Sequence, residues 1–335
     1  MKDRLLGSGM PLEQIAARKL LEAGYEDLGE ASVDRDGKTF SADIRAVKFA
    51  HVEGSPPLPL QVTLFVECKY LRPPNALIFA SFSGRQTHPL LKMMSFNAAM
   101  VAGIETLPGF QAARATEVTT NLFSQWLPQG TIICHKVALL PNPTSSDLFR
   151  EAQYQLTFPL VQDLASDLKT AVNLLGGKGS IPANYEKVFG ALYPRIKAAL
   201  FLPLIVTNAP LYILHEKMEL SDITGSNMIS DIADPHPFVK YQSEALRGIP
   251  NFLKDELEEI SKAAEALPER RGDSVMLGFF LLLLVPRRFY FVRADSIPDF
   301  FASVHKDLVA LCRESARPSA DTANESATNK VQPPG

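Results

Sequence analysis

The sequence predicts an α/β fold in which a central mixed β-sheet is flanked by helices, with a C-terminal elaboration. Segments with the two-residue periodicity of strands alternate with segments of helical periodicity over most of the 335 residues. The composition is 46% hydrophobic, which is ample for a packed core. No segment recurs with a period of about 20–50 residues, which argues against a solenoid or a propeller.

The first elements are predicted to be a helix and a β-hairpin. Residues 11–24 carry apolar side chains at helical spacing, with Pro11 suited to a first turn and Gly24 to a C-terminal stop. Residues 39–49 and 61–69 alternate between apolar and polar side chains, as strands do. The connection between them is dense in Gly, Ser and Pro, so the two strands are expected to form a hairpin.

The rest of the chain continues the alternation of strands and helices. Further strands are predicted at residues 76–82, 131–140, 201–214 and 279–285, and the strand at 201–214 is expected to continue past a Pro-containing turn. Further helices are predicted at residues 145–175 with an interruption at Pro159, 185–200, 251–266 and 297–312.

The length fits one large domain or two ordinary ones, at roughly 100–200 residues per domain. We predict a single elaborated domain over residues 1–312, with the core motif in residues 10–70 and additional strands and helices in residues 71–312. Residues 313–335 contain almost no large apolar side chain and are expected to form a disordered tail.

Net charge and cysteine usage limit the kinds of partner, the kinds of site and the cellular location that can be expected. The formal net charge is −3, so binding to nucleic acid would need a local basic patch. Cys68, Cys134 and Cys312 are odd in number and widely spaced, which favours neither a disulfide framework nor a zinc site. A cytoplasmic location is therefore expected. The N-terminus has no secretory signal pattern, and the longest apolar run is too short for a membrane-spanning helix, so no membrane association is expected.

The strongest candidate site lies on the predicted hairpin. If Asp43 on the first strand faces Glu67 on the second, the midpoint falls at residue 55, inside the Gly-Ser-Pro turn signal. The two carboxylates would then have Cβ atoms within roughly 5 Å of each other, and Lys69 would project from the same face. Two like charges on one sheet face need a partner.

A hard divalent cation fits this pair of carboxylates. Mg²⁺ uses one or two protein carboxylates together with water and substrate phosphate oxygens, and Mn²⁺ could replace it. The backbone carbonyl of Cys68 could supply a further ligand. A cation held by Asp43 and Glu67, with Lys69 beside an attacking water, is suited to hydrolysis of a phosphodiester.

These residues resemble the PD-(D/E)xK, or restriction-endonuclease-like, nuclease superfamily: a helix bearing an acid, a strand Asp, and an apolar strand ending in Glu-x-Lys. The resemblance covers residues 10–70. It implies that Asp43 and Glu67 bind Mg²⁺, that Lys69 is the catalytic lysine, and that Glu13 is the auxiliary acid.

The resemblance extends more loosely to later segments. REAQYQLTFPL at residues 150–160 resembles the helix that follows the core hairpin, and Gln153 or Gln155 could match a glutamine that many members place there. LPLIVTNAPLYIL resembles the strand that closes such a sheet. The segment after Lys69 departs from the pattern, because Pro73 and another apparent strand precede the helix, which implies an elaborated core.

The function implied by the resemblance is that of an Mg²⁺-dependent DNA endonuclease in bacterial restriction or defence, with DNA as partner and a homodimer as one possible assembly. A nuclease of similar core that acts in DNA repair or on RNA is an alternative. So is a catalytically silent member that binds DNA or a partner protein. A chance match within an unrelated α/β protein also stays open.

Small groups of basic residues are candidates for phosphate contact. They are Arg85, Lys92 and the arginine pairs at residues 270–271 and 287–288, near predicted loops or strand ends. An ordinary solvated surface explains the same residues equally well.

Overall fold

The computed structural model describes residues 9–52, 58–81, 99–103, 133–141, 146–175, 196–226, 228–242, 258 and 288–304. The predicted turn at residue 55, the predicted strand at residues 279–285 and the predicted tail at residues 313–335 lie outside the described residues. So does the predicted helix at residues 251–266, apart from Glu258, which is helical.

The first four elements are one helix and three antiparallel strands. The helix α1 spans Met10–Glu22 and the strands β1, β2 and β3 span Glu26–Arg35, Lys38–Val52 and Leu58–Lys69. The predicted opening helix and both predicted strands of the hairpin are confirmed. Strand β1 was not predicted, because it is an edge strand with a mostly polar, exposed sequence.

The remaining described elements follow in chain order. They are the strands β4 (Ala76–Ala80), β5 (Ala99–Gly103), β6 (Ile133–Cys134) and β7 (Lys136–Leu140), the helix α2 (Ser146–Leu175), the strands β8 (Ile196–Thr207) and β9 (Leu211–Leu214), the short helix α3 (Leu220–Gly225), and the strands β10 (Ala233–His236), β11 (Phe238–Gln242) and β12 (Arg288–Arg293). Residues 297–304 form a further helix.

The strands form two mixed sheets. The larger sheet has the order β1-β2-β3-β8-β12-β11-β6, with β5 also paired to β8. Within it β3, β8 and β12 run parallel, whereas β1–β2, β2–β3 and β11–β12 are antiparallel. The smaller sheet has the order β10-β9-β4-β7. The expected mixed α/β architecture is confirmed at this level.

Helices cover both faces of the larger sheet. Alternate residues of β3 show this, because Phe65 belongs to an apolar cluster that includes α2, and Val66 belongs to one that includes α1 and residues 297–304. The side chains of α1 that enter the second cluster, Leu12, Ala16 and Leu20, have the helical spacing that predicted this helix.

Four sequence-based expectations need correction. The predicted strand at residues 131–140 is broken at His135 into β6 and β7, which belong to different sheets. The predicted strand at residues 201–214 is interrupted at residues 208–210, where the Pro-containing turn was expected, but its two parts, β8 and β9, belong to different sheets. Residues 196–200 belong to β8 and not to a helix. Pro159 does not interrupt α2, since buried residues such as Phe158 and Leu160 hold the helix against the sheet on both sides of it. Tertiary packing outweighs the local cost of the proline.

Helix α2 is the longest helix of the described part of the chain. Within that part, no helix combines the length and the apolar character that a membrane crossing requires.

Candidate active site

The pairing of β2 with β3 sets the position of the two predicted carboxylates. The observed pairs run from Val52 opposite Leu58 to Ile44 opposite Val66. Continuing this register by one residue places Asp43 opposite Glu67, which is the register expected from the sequence. Both residues therefore lie where β2 and β3 meet at the carboxyl end of β3.

A β-bulge in the pairing of β1 with β2 lies at Asp43. In the pairing of β1 with β2, Ala31 faces Ala42 and Gly29 faces Arg45, so that Glu30 alone lies opposite two residues, Asp43 and Ile44. Such bulges bend a strand and redirect a side chain, and they are common next to active sites. The Asp43 side chain reaches across to β3, where its Oδ2 accepts a hydrogen bond of 2.6 Å from the backbone N–H of Cys68.

Glu67 is a buried carboxyl group that is only half satisfied. Its side chain is 6% exposed, and its Oε1 lies 2.7 Å from Nζ of Lys69, whose side chain is 20% exposed. The other oxygen, Oε2, is buried and has no hydrogen-bond partner among the described residues. Burial of a polar atom without a partner typically costs about 1–3 kcal/mol, so a ligand at Oε2 would stabilise the site.

The acidic groups at this edge have raised pKa values. Burial and the charge of Asp43 raise the pKa of Glu67 to about 7, although Lys69 opposes the shift. Burial also raises the pKa of Asp43, and Glu30 adds to this effect, while the Cys68 N–H and Lys69 oppose it. Carboxyl groups with pKa values raised by burial and mutual repulsion are typical of functional sites.

Glu13 lies at the same edge, on the first turn of α1. A Cβ atom added to Gly9 would lie 3.1 Å from Glu13 Oε1 and 4.0 Å from the carbonyl oxygen of Cys68, so these two oxygens flank Gly9. Burial, followed by the charges of Asp43 and Glu30, raises the pKa of Glu13. The structure thus brings together Glu13, Asp43, Cys68, Glu67 and Lys69, the residues that the sequence proposed for metal binding and catalysis.

Sequence reasoning missed two further acids near this group. Glu30 on β1 acts on the pKa of both Asp43 and Glu13, and its Oε1 accepts a hydrogen bond from the Ser41 hydroxyl. Glu151 on α2 contributes to the raised pKa of Glu67. The Asp36-Gly37 pair, which forms the turn between β1 and β2, is a hairpin signal that could have located β1 and hence Glu30.

The two glutamines of α2 differ in their surroundings. Gln155 accepts a hydrogen bond of 2.5 Å from the backbone N–H of Ser41, two residues before Asp43, and so joins α2 to β2 beside the bulge. Gln153 is buried. Gln155 thus connects α2 to the strand of Asp43.

The donor atoms at this edge fit a hard divalent cation. No cluster of three or more His, Cys, Asp or Glu side chains arranged for metal binding occurs in the described ranges. Two carboxylates and the Cys68 carbonyl are, however, oxygen ligands of the kind that Mg²⁺ and Mn²⁺ prefer. Few protein ligands suffice, because these ions keep several waters. The unpartnered Oε2 of Glu67 is the atom of this set that such an ion would satisfy.

Most of the basic residues considered for phosphate contact lie in undescribed segments. Arg85, Lys92, Arg287 and the pair at residues 270–271 all fall there. Arg288 is the first residue of β12.

The raised pKa of Glu67 predicts how stability depends on pH. The folded protein holds this proton up to about pH 7, whereas an ordinary glutamate releases it near 4.5. The stabilisation of the folded state by protonated Glu67 is therefore fully present below pH 4.5 and is lost as the pH rises to 7. The loss amounts to a decrease of about 3 kcal/mol in the free energy of unfolding. Urea denaturation in EDTA from pH 4.5 to 8 should reveal this slope.

Glu67→Gln should flatten that slope, because glutamine has no proton to lose. Glu22→Gln is the matched control, since the Glu22 side chain is 64% exposed on α1 and should leave the slope unchanged. Equal slopes in the wild type and Glu67→Gln would contradict the raised pKa.

The chain was compared with protein-family models, with curated proteins and with solved structures. None of these comparisons yielded a match.

Proposed function

We propose that the chain is an Mg²⁺-dependent DNA endonuclease with a restriction-endonuclease-like core. The observation that carries this proposal is the environment of the buried Glu67 carboxyl group. One of its oxygens contacts Nζ of Lys69, and the other has no hydrogen-bond partner among the described residues. A purely structural ion pair would leave no reason to bury that second oxygen next to Asp43. A cation between the two carboxylates supplies the reason.

The arrangement of elements supports the same proposal. An acid-bearing helix, α1, precedes the strands that carry Asp43 and Glu-x-Lys, as the family resemblance requires. The segment expected to follow the core hairpin lies in α2. The segment expected to close the sheet includes β8, which runs parallel to β3 but lies inside the sheet, between β3 and β12. Strands β4 to β7 lie between β3 and α2 in the chain and would be the elaboration.

The residues of the site would divide the work of hydrolysis. Asp43, Glu67 and the Cys68 carbonyl would hold Mg²⁺, which when bound offsets phosphate charge and lowers the pKa of a bound water. Lys69 would orient the attacking water or stabilise the charge that develops on the phosphate. Glu13, whose carboxylate flanks Gly9 together with the Cys68 carbonyl, would serve as an auxiliary acid.

Cleavage assays test the proposal directly. Purified protein is incubated with plasmid, linear duplex and single-stranded DNA, and separately with RNA, in Mg²⁺, Mn²⁺ or EDTA. We expect cleavage of DNA in either metal and none in EDTA. Metal-dependent DNA binding without cleavage would identify a catalytically silent protein of the same fold, and cleavage of RNA alone would overturn the choice of substrate. Bacterial restriction or defence is the setting that the resemblance favours.

A further inference from the structure

The carboxyl ends of three parallel strands meet beside the candidate active site. Lys69 at the end of β3 pairs with Thr207 at the end of β8, and Thr207 pairs in turn with Arg293 at the end of β12. Residues paired across a sheet project from the same face. Lys69 and Arg293 therefore lie on the same face and at the same edge of the sheet. Their Cα atoms are about 10 Å apart, at a strand spacing of roughly 4.8 Å.

Arg293 is accessible at this edge. Its side chain is 36% exposed and forms an ion pair with Asp295, whose side chain is 62% exposed. Exposed pairs of this kind contribute little to stability, so a phosphate group could replace Asp295 at small cost. The guanidinium is also well shaped for a phosphate, because it can donate two parallel hydrogen bonds.

Arg72 follows β3, on the same side of β8 as Lys69, whereas Arg293 lies on the other side of β8. The Asn208 side chain, which directly follows β8, accepts a hydrogen bond of 2.8 Å from the Leu71 N–H and donates one of 2.8 Å to the Leu71 carbonyl. This contact fixes the backbone next to Arg72, and the Arg72 carbonyl accepts a hydrogen bond from the Asn75 N–H. The Arg72 side chain is exposed.

We propose that Arg72 and Arg293 bind backbone phosphates of duplex DNA that follow the cleaved phosphate along the edge of the sheet. The inference rests on the proposed function and adds the path of the substrate, along the carboxyl ends of β3, β8 and β12. The chain as a whole is slightly acidic, so a phosphate backbone must be held by local cations such as these. Lys69 lies in the same row and meets the phosphate that reacts.

The test measures binding of a fluorescent DNA duplex in Ca²⁺ by anisotropy, between about 50 and 200 mM salt. We expect Arg72→Ala and Arg293→Ala each to weaken binding about tenfold, and each to reduce the magnitude of the salt slope by about 1. Asp295→Asn should strengthen binding a few-fold, because it removes the group that competes for Arg293. Thermal unfolding of each variant, together with Arg293→Gln, which keeps the aliphatic stem of the side chain but removes its charge, separates loss of contact from loss of folding.

Arg18→Ala is the matched control. Arg18 also forms an exposed ion pair, with Glu22 at 3.8 Å, but it lies on α1, which packs against the opposite face of the sheet. If the wild type binds and cleaves DNA while Arg72→Ala and Arg293→Ala bind as tightly as Arg18→Ala, this inference is wrong and the proposed function stands. If the wild type neither binds nor cleaves DNA, both are wrong.

Discussion

Replacing Lys69 with alanine is expected to reduce DNA cleavage by roughly a hundredfold or more while the protein stays folded and still binds DNA with a metal. This is the usual scale for a positioned acid–base or electrostatic group. Lys69 carries a positive charge and cannot ligate a cation, so its loss should act on chemistry more than on metal affinity. Lys69→Arg should not restore full activity, because a guanidinium stays protonated and differs in shape.

Because Lys69 contacts Glu67, metal binding and cleavage by Lys69→Ala must be measured at several pH values. Lys69 holds down the pKa of Glu67, which is already about 7. Without Lys69 that pKa rises further, so Glu67 is more protonated at neutral pH and binds metal less well. We therefore expect the metal affinity of Lys69→Ala to recover as the pH is raised, whereas its single-turnover cleavage rate stays low.

Two results would contradict this role for Lys69. Near-normal cleavage by Lys69→Ala would mean that another residue performs the chemistry or that the Glu-x-Lys pattern is coincidental. Recovery of cleavage in parallel with metal affinity at high pH would mean that Lys69 acts only by tuning the pKa of Glu67.

Replacing Asp43 with asparagine is expected to remove metal binding and cleavage together, with cleavage falling by roughly a hundredfold or more. Asparagine is nearly the same size as aspartate and keeps an oxygen that can accept the 2.6 Å hydrogen bond from the Cys68 N–H. The fold should survive for this reason. What is lost is one of the two negative charges that would hold the cation.

The matched control for Asp43→Asn is Asp36→Asn in the turn between β1 and β2. The Asp36 side chain is 89% exposed and belongs to an Asp-Gly turn, where asparagine is equally suitable. Calorimetric titration with Mn²⁺ and single-turnover cleavage should both be unchanged in Asp36→Asn. Asp43→Asn with intact metal binding would show that Asp43 is not a ligand.

Local patterns were sufficient to predict the hairpin that carries the site. Strands β2 and β3 alternate between apolar and polar side chains over much of their length, and such alternation together with the turn position specifies the register. The positions of Asp43 and Glu67 and the shared face of Glu67 and Lys69 follow from that register and from the pleat of the strand. None of this required knowledge of distant contacts.

Features that depend on distant contacts could not be predicted. The bulge at Asp43 arises from the pairing of β2 with the polar edge strand β1, whose side chains are mostly exposed. The approach of Glu151 to Glu67 and of Gln155 to Ser41 depends on how α2 packs on the sheet. The alignment of Arg293 with Lys69 joins residues more than two hundred positions apart through β8.

The most direct test of the central claim is a crystal structure grown in Mn²⁺, read by the anomalous signal of the metal. We expect a peak coordinated by a carboxylate oxygen of Asp43, Oε2 of Glu67 and the carbonyl oxygen of Cys68, with water completing the coordination. A peak elsewhere, or a structure in which no peak joins Asp43 and Glu67 at saturating Mn²⁺, would contradict the metal site and with it the proposed hydrolysis.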